Sequence, residues 1–130
     1  MEFKKNIIQT NEAPAAIGTY SQGVEYQGLC FFSGQIGLDP VDGNLADGVE
    51  LQIKQIFKNI DALLKSQNLS RSHILKTTVF LTDLKVFSVI NEAFDSFFEK
   101  PYPARSTVEV SALPKGALVE IEVIAAKKNV

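Results

Sequence analysis

Gly28-Leu29-Cys30-Phe31-Phe32-Ser33-Gly34 is the stretch on which the fold turns. Successive side chains of a β-strand point to opposite faces, so Leu29 and Phe31 share one face while Cys30 and Phe32 share the other. All four are apolar, and such a strand must be covered on both sides. The rest of the chain offers two amphipathic helices, which can blanket only one face of a sheet of about five or six strands. With 130 residues in all, nothing is left to cover the second face. The sequence therefore predicts self-association, with other copies of the chain burying that face.

Beyond this strand, Gln35 to Asp47 is rich in Gly, Asp and Pro and predicts a surface loop. Val49, Ile53, Ile56, Phe57, Ile60, Leu63 and Leu64 then form one helical stripe. Asp47, three residues before Glu50, resembles a capping box, and Asn68 is a plausible left-handed terminator, which places the helix at 47–67. Ile74 to Leu81 is β-branched and aromatic, hence a strand, and Thr82-Asp83 offers an N-cap to a second helix at 84–98. Its stripe is Phe87, Ile90, Phe94, Phe97 and Phe98, and Asn91 falls on the same face, where a polar residue needs an explanation. After Pro101 and Pro103, Ala104 to Val110 and Leu118 to Ala126 read as two strands joined through Leu113-Pro114-Lys115-Gly116, a terminal hairpin or near-neighbour pair.

Composition narrows the function classes. With 45% hydrophobic and 22% charged residues the chain is an ordinary globular protein, which excludes disordered and collagen-like classes. A net charge of -2 gives no electrostatic surplus for nucleic acid or anionic lipid. One cysteine, Cys30, allows no internal disulfide, and one histidine, His73, leaves no Cys/His zinc set, so a reducing compartment fits and no metal is expected. No apolar run approaches the ~20 residues of a membrane span. Met1-Glu2-Phe3-Lys4-Lys5-Asn6 leads into a polar stretch rather than the apolar core of a secretory leader. The expectation is one cytoplasmic domain over residues 1–130.

A Cys-His dyad would have to use Cys30 and His73, but the hydrophobic run around Cys30 favours an inert buried thiol. His73 lies beside Arg71 and two serines and is assigned no function. Gly34-Gln35-Ile36-Gly37 matches neither GxGxxG nor a P-loop, so nucleotide binding is unsupported. The last two strands are more informative: period-2 geometry puts Arg105, Thr107 and Glu109 on one face of the first, and Glu120 and Glu122 together on the second. These are either solvated faces of a half-exposed sheet or a carboxylate-binding arginine near an acid/base glutamate. Periodicity does not choose between them.

Several segments resemble the Rid family, also called YjgF or L-PSP. They are Ala13-Pro14-Ala15-Ala16-Ile17-Gly18-Thr19-Tyr20-Ser21-Gln22, Ser33-Gly34-Gln35-Ile36, Lys76-Thr77-Thr78-Val79-Phe80, the Asn91 helix, Pro103-Ala104-Arg105-Ser106, and Leu113-Pro114 followed by Val119-Glu120-Ile121-Glu122. In this order they are highly specific and span almost the whole chain.

The resemblance implies an α+β, chorismate-mutase-like fold, a mixed sheet with two helices on one face, assembled as a homotrimer with sites in the clefts between subunits. It implies hydrolysis of enamine or imine intermediates such as 2-aminoacrylate to a 2-keto acid and ammonia, with no cofactor. Arg105 resembles the arginine that pairs with the substrate carboxylate, and Glu120 the carboxylate that positions water or moves a proton. Tyr20 and Ser33 match the pocket tyrosine and serine, Gly34 would lend a backbone donor, and Asn91 matches an asparagine near the cleft, although a satisfied buried amide accounts for it equally well. The chain departs from the pattern at Thr107, where many relatives have cysteine, and at Thr19, where proline is usual. Thr107 can still present its backbone carbonyl to substrate. The same resemblance admits an endoribonuclease, and a 2-keto acid sensor or chaperone-like trimer is the non-enzymatic alternative.

Overall fold

The computed structural model describes residues 3–127, so Met1 and Glu2, part of the amino-terminal reading, lie outside the described residues, as do residues 128–130. Six strands, β1 (Asn6–Ile8), β2 (Gly23–Tyr26), β3 (Leu29–Phe32), β4 (Ile74–Leu81), β5 (Ala104–Glu109) and β6 (Val119–Ala126), form one sheet in the order β1-β2-β3-β6-β4-β5. The sheet is mixed: β4 and β5 are parallel and every other pairing is antiparallel. Helices α1 (Val49–Ser66) and α2 (Phe87–Phe97) pack on one face. This is the α+β architecture that the sequence predicts.

Strand β3 has one face covered and one open. Cys30 and Phe32 are buried at 0% and 6% exposure in the core with α1, whereas Leu29 and Phe31 are 39% and 42% exposed. Val108 is likewise exposed. Its registered neighbour Phe80 is opposite Glu120, which places all three on the helix-free side. At the helical face, Phe57 stacks on Phe97 at 3.8 Å between ring centres, with Phe94 and Phe98 edge-on or tilted around them.

Of the two arrangements expected for the terminal strands, the hairpin does not form: β5 and β6 are near neighbours with β4 between them. The β4-α2-β5 crossover lays β5 parallel beside β4, and β6 returns into the slot between β3 and β4. That slot buries Val119, Ile121, Val123 and Ala125 on the helical face, which outweighs the local convenience of a hairpin.

Helix ends also differ from expectation. Gly48, at φ 86°, is the N-cap of α1 and no side chain caps it, so Asp47 makes no capping box. Gln52 secures this end instead, donating to the Ala46 carbonyl (3.1 Å) and accepting from the Leu118 N–H (2.8 Å). Asn68 does adopt the left-handed conformation, φ 60°, just beyond the other end. Asp83 accepts from the Lys85 N–H at 2.9 Å, but it caps a 3-10 turn over Leu84–Val86, and the α-helix proper starts at Phe87. Phe87, read as core, is 40% exposed.

His73 has a structural role: its Nδ1 accepts the Ser70 N–H at 3.1 Å and closes the turn before β4. Among the described residues no helix is long and apolar enough to cross a membrane.

Candidate active site

The candidate residues fall into two groups. The first gathers around Glu120 on the open face of β6. Gly34 and Gln35 run beside that strand, with Gln35 and Ile121 exchanging backbone hydrogen bonds at 2.9 and 3.0 Å. A Cβ built on Gly34 would come within 2.5 Å of Glu120 Oε2, so only glycine lets the carboxyl lie against this backbone. Ser33 sits one residue earlier, its hydroxyl donating to the Ser21 carbonyl at 2.6 Å.

The loop that carries Tyr20 is tied down by Gln22, 3% exposed. Its amide oxygen accepts the Thr10 N–H at 2.7 Å, and its amide nitrogen donates to the carbonyls of Thr10 (3.0 Å), Ala13 (3.3 Å) and Pro14 (2.8 Å). Tyr20 itself is 54% exposed. Tyr20, Ser33, Gly34, Glu120 and Glu122 line one open cleft of about 910 Å³. Burial pushes the Glu120 carboxyl above the ordinary glutamate range, and the neighbouring Glu122 charge adds to the effect. Among the described residues the Glu120 carboxyl has no hydrogen-bond or ion-pair partner, so it is free to exchange a proton with a bound molecule.

The second group surrounds Arg105 on edge strand β5. Register pairs Arg105 with Thr77 and Thr107 with Val79, and both partners are buried on the helical face. The guanidinium lies 5.2 Å and 5.0 Å from the ring centres of Phe87 and Phe94, and its Nη2 donates to Asn91 Oδ1 at 2.8 Å. These contacts orient the fork while leaving donors for a carboxylate. Asn91 is exposed rather than a buried amide, and the exposed Phe87 marks the same rim of α2. Arg105, Asn91, Phe94, Asp95, Tyr102 and Pro103 line a cleft of about 410 Å³. Thr107 does not line that cleft; its hydroxyl is buried with no hydrogen-bond partner among the described residues.

Arg105 and Glu120 therefore do not meet within one chain, since Glu120, opposite Phe80, faces away from the helices. Gln22 and Tyr102 were not singled out from the sequence, and Glu109 was named only for its face. Gln22 was visible only as part of the Tyr20 segment. Tyr102 donates to Asp95 Oδ1 at 2.7 Å beside Arg105, a bond that raises the phenol's pKa. Glu109 accepts the Leu84 N–H at 2.9 Å and holds the start of the α2 segment, a role that its shared face with Arg105 could have suggested. Among the described residues no cluster of His, Cys, Asp or Glu could hold a metal ion.

A half-buried glutamate without a partner thus lies in one cleft and an aromatic-flanked arginine in another. The chain belongs to the endoribonuclease L-PSP family, whose model matches residues 10–127. The 2-iminobutanoate/2-iminopropanoate deaminase of Mus musculus is 43% identical over 122 residues, covering 93% of this chain and 90% of that one. Among solved structures, RidA from the Antarctic bacterium Psychrobacter sp. is 46% identical and superposes with a TM-score of 0.91, covering 93% of this chain and 98% of that chain. TdcF of E. coli, solved with bound serine, is 42% identical with a TM-score of 0.89, covering 95% and 99%.

Proposed function

We propose that this protein hydrolyses reactive 2-imino acids, the tautomers of enamines such as 2-aminoacrylate, to 2-keto acids and ammonia. The observation that carries the reading is Glu120: a carboxyl with a raised pKa and no partner, laid against Gly34 in an open cleft. Relatives at this level of identity bear the deaminase name.

In the proposed reaction Arg105 pairs with the substrate carboxylate. Water adds to the C=N carbon while Glu120 takes its proton, and the C=N electron pair moves to nitrogen, which receives that proton from Glu120. The resulting carbinolamine collapses: its hydroxyl proton passes through Glu120 to the amine, the C–N bond breaks, ammonia leaves and the C–O bond becomes the keto group. Tyr20 shapes the far wall, Ser33 and Gly34 hold the cleft backbone, and Asn91 orients Arg105. Thr107 contributes its backbone carbonyl to the same substrate. General acid-base help of this kind supplies a rate gain of about 10²- to 10⁴-fold, and the mechanism calls on no cofactor.

Because Arg105 and Glu120 face opposite sides of the sheet, the complete site joins Arg105 of one copy to the Glu120 cleft of another, in a homotrimer. The uncovered apolar face with Leu29 and Phe31 supports that assembly. Residues 1–130 act as one domain, in the cytoplasm; the single free cysteine, buried with its thiol pKa pushed up, suits a reducing compartment.

The test couples a serine dehydratase to pyruvate detection, with wild type and Arg105→Ala added side by side. Acceleration by wild type alone is the expected result, and acceleration by neither defeats the reading. An endoribonuclease, the activity in the family's description, would instead bind RNA with an affinity that falls steeply as salt rises.

A further inference from the structure

Glu122 follows Glu120 by two residues on β6 and lines the same cleft. Opposite the two on β4 stand Phe80 and Thr78, neither of which carries charge, while Lys76, two residues before Thr78 on the same face, forms no ion pair within 4 Å among the described residues. The other ionisable groups of the cleft are Tyr20, Asp39, Asp42 and Lys115. Asp39 spends its carboxylate on the Val41 and Asp42 N–H groups at 2.8 and 3.3 Å, and Asp42 spends its own on the Asn44 N–H at 2.8 Å. Each closes its own turn. Lys115, in a left-handed turn at φ 58°, forms no ion pair within 4 Å among the described residues. Glu120 and Glu122 are thus the two uncommitted carboxyls of the cleft, on one face of one strand, with no cation seated between them.

We propose that Glu122 acts through Glu120, as a like charge beside it on the same face of β6 in the cleft. A like charge two residues away on the same strand face disfavours ionisation of the half-buried Glu120. The raised pKa of Glu120, to which Glu122 contributes, agrees with this pairing. A carboxyl whose ionisation is held back in this way is suited both to accept the proton of attacking water and to return one to the departing nitrogen. The inference rests on the reading of Glu120 as the proton-transfer group, and it makes Glu122 a positioning residue for a proton rather than a group that touches substrate.

Carboxyl-detected NMR titration of wild type and Glu122→Gln tests it without reference to activity. In the variant the Glu120 midpoint should fall by about half a pH unit or more, as expected for removal of one nearby like charge. The acid limb of the kcat/KM profile for imine hydrolysis should move to lower pH by the same amount. A purely structural role for Glu122 would leave both unmoved, and an unmoved Glu120 midpoint overturns the proposal. If Glu122→Gln does not fold, the wild-type titration at low and high salt decides instead. Screening should lower the Glu120 midpoint, and a salt-independent midpoint overturns the pairing. Should wild type fail to accelerate hydrolysis at all, the deaminase reading falls while the titration still decides the carboxyl pair.

Discussion

Arg105 and Glu120 stand on opposite faces of one sheet: Arg105 shares the helical face with Thr77, and Glu120 shares the helix-free face with Phe80. A planar carboxylate held by the arginine fork is therefore out of reach of the glutamate of the same chain. Each is set by its own surroundings, Arg105 by aromatic rings and Asn91, Glu120 by burial and by the missing side chain of Gly34.

If the working site is shared between copies, two inactive variants should rescue each other. Arg105→Ala and Glu120→Gln subunits, unfolded together and reassembled at equal amounts, should regain about a quarter of wild-type activity, because random mixing joins an intact arginine to an intact glutamate at one site in four. No recovery, with mixed assembly verified by mass spectrometry, would place the site within a single chain.

Arg105→Ala alone should lower kcat/KM for 2-iminopropanoate by ~10²-fold or more, the scale of losing a charge-assisted pair of hydrogen bonds. Circular dichroism should be unchanged, because the side chain lies at the rim of an edge strand. Arg105→Lys should recover only part, since an ammonium cannot reproduce the fork.

Glu120 has a pH signature in stability as well as in rate. Its folded-state pKa is raised, so the folded chain holds this proton more tightly than the unfolded chain does. The stability linked to it is fully present below the ordinary glutamate pKa and is lost as pH rises through the raised value. Glu120→Gln should therefore melt higher than wild type at pH 7 and lose that advantage below about pH 4. Scanning calorimetry at the two pH values checks the sign.

Gly34→Ala places a methyl group where the Glu120 carboxyl rests. The carboxyl must move, and a displacement of about 1 Å costs up to ~10²-fold in rate. A stopped-flow assay should show kcat reduced more than KM is raised; wild-type kcat would mean that the contact with Gly34 is not used.

Glu25 behaves oppositely to Glu120. The Gly28 N–H and the Asn6 amide donate to its carboxylate at 2.8 and 2.7 Å, and they lower its pKa. Its contribution is present above the ordinary glutamate pKa and is lost as pH falls through the lowered value. Glu25→Gln should destabilise the β2-β3 turn at pH 7, and the deficit should shrink below about pH 4, as read by urea unfolding at both pH values.

Elements with a strong internal period were legible. The α1 stripe from Ile53 to Leu64, strand β4 and the alternation in β3 each bury the residues that their spacing selects. Legibility failed where neighbours decide. Asp47 has capping chemistry, but Gly48 takes the N-cap position and leaves Asp47 one residue before it. Phe87 has the stripe's spacing, yet α2 rolls it to the rim, where it flanks Arg105 instead of filling the core. Tyr20, Ser33, Gly34, Asn91, Arg105 and Glu120 were all named from the sequence, but their division into two clefts was not.

The sequence by itself determined the element types, the apolar faces and the family, because periodicity and motif order are local properties of the chain. It also determined that one apolar face would lack cover, since 130 residues supply two helices for one sheet. Only the tertiary structure decided that β6 enters between β3 and β4 and that Arg105 and Glu120 look in opposite directions. Strand order and relative facing arise from non-local hydrogen bonding and burial, where each strand takes the partner that covers the most apolar surface, and no short-range pattern encodes that choice.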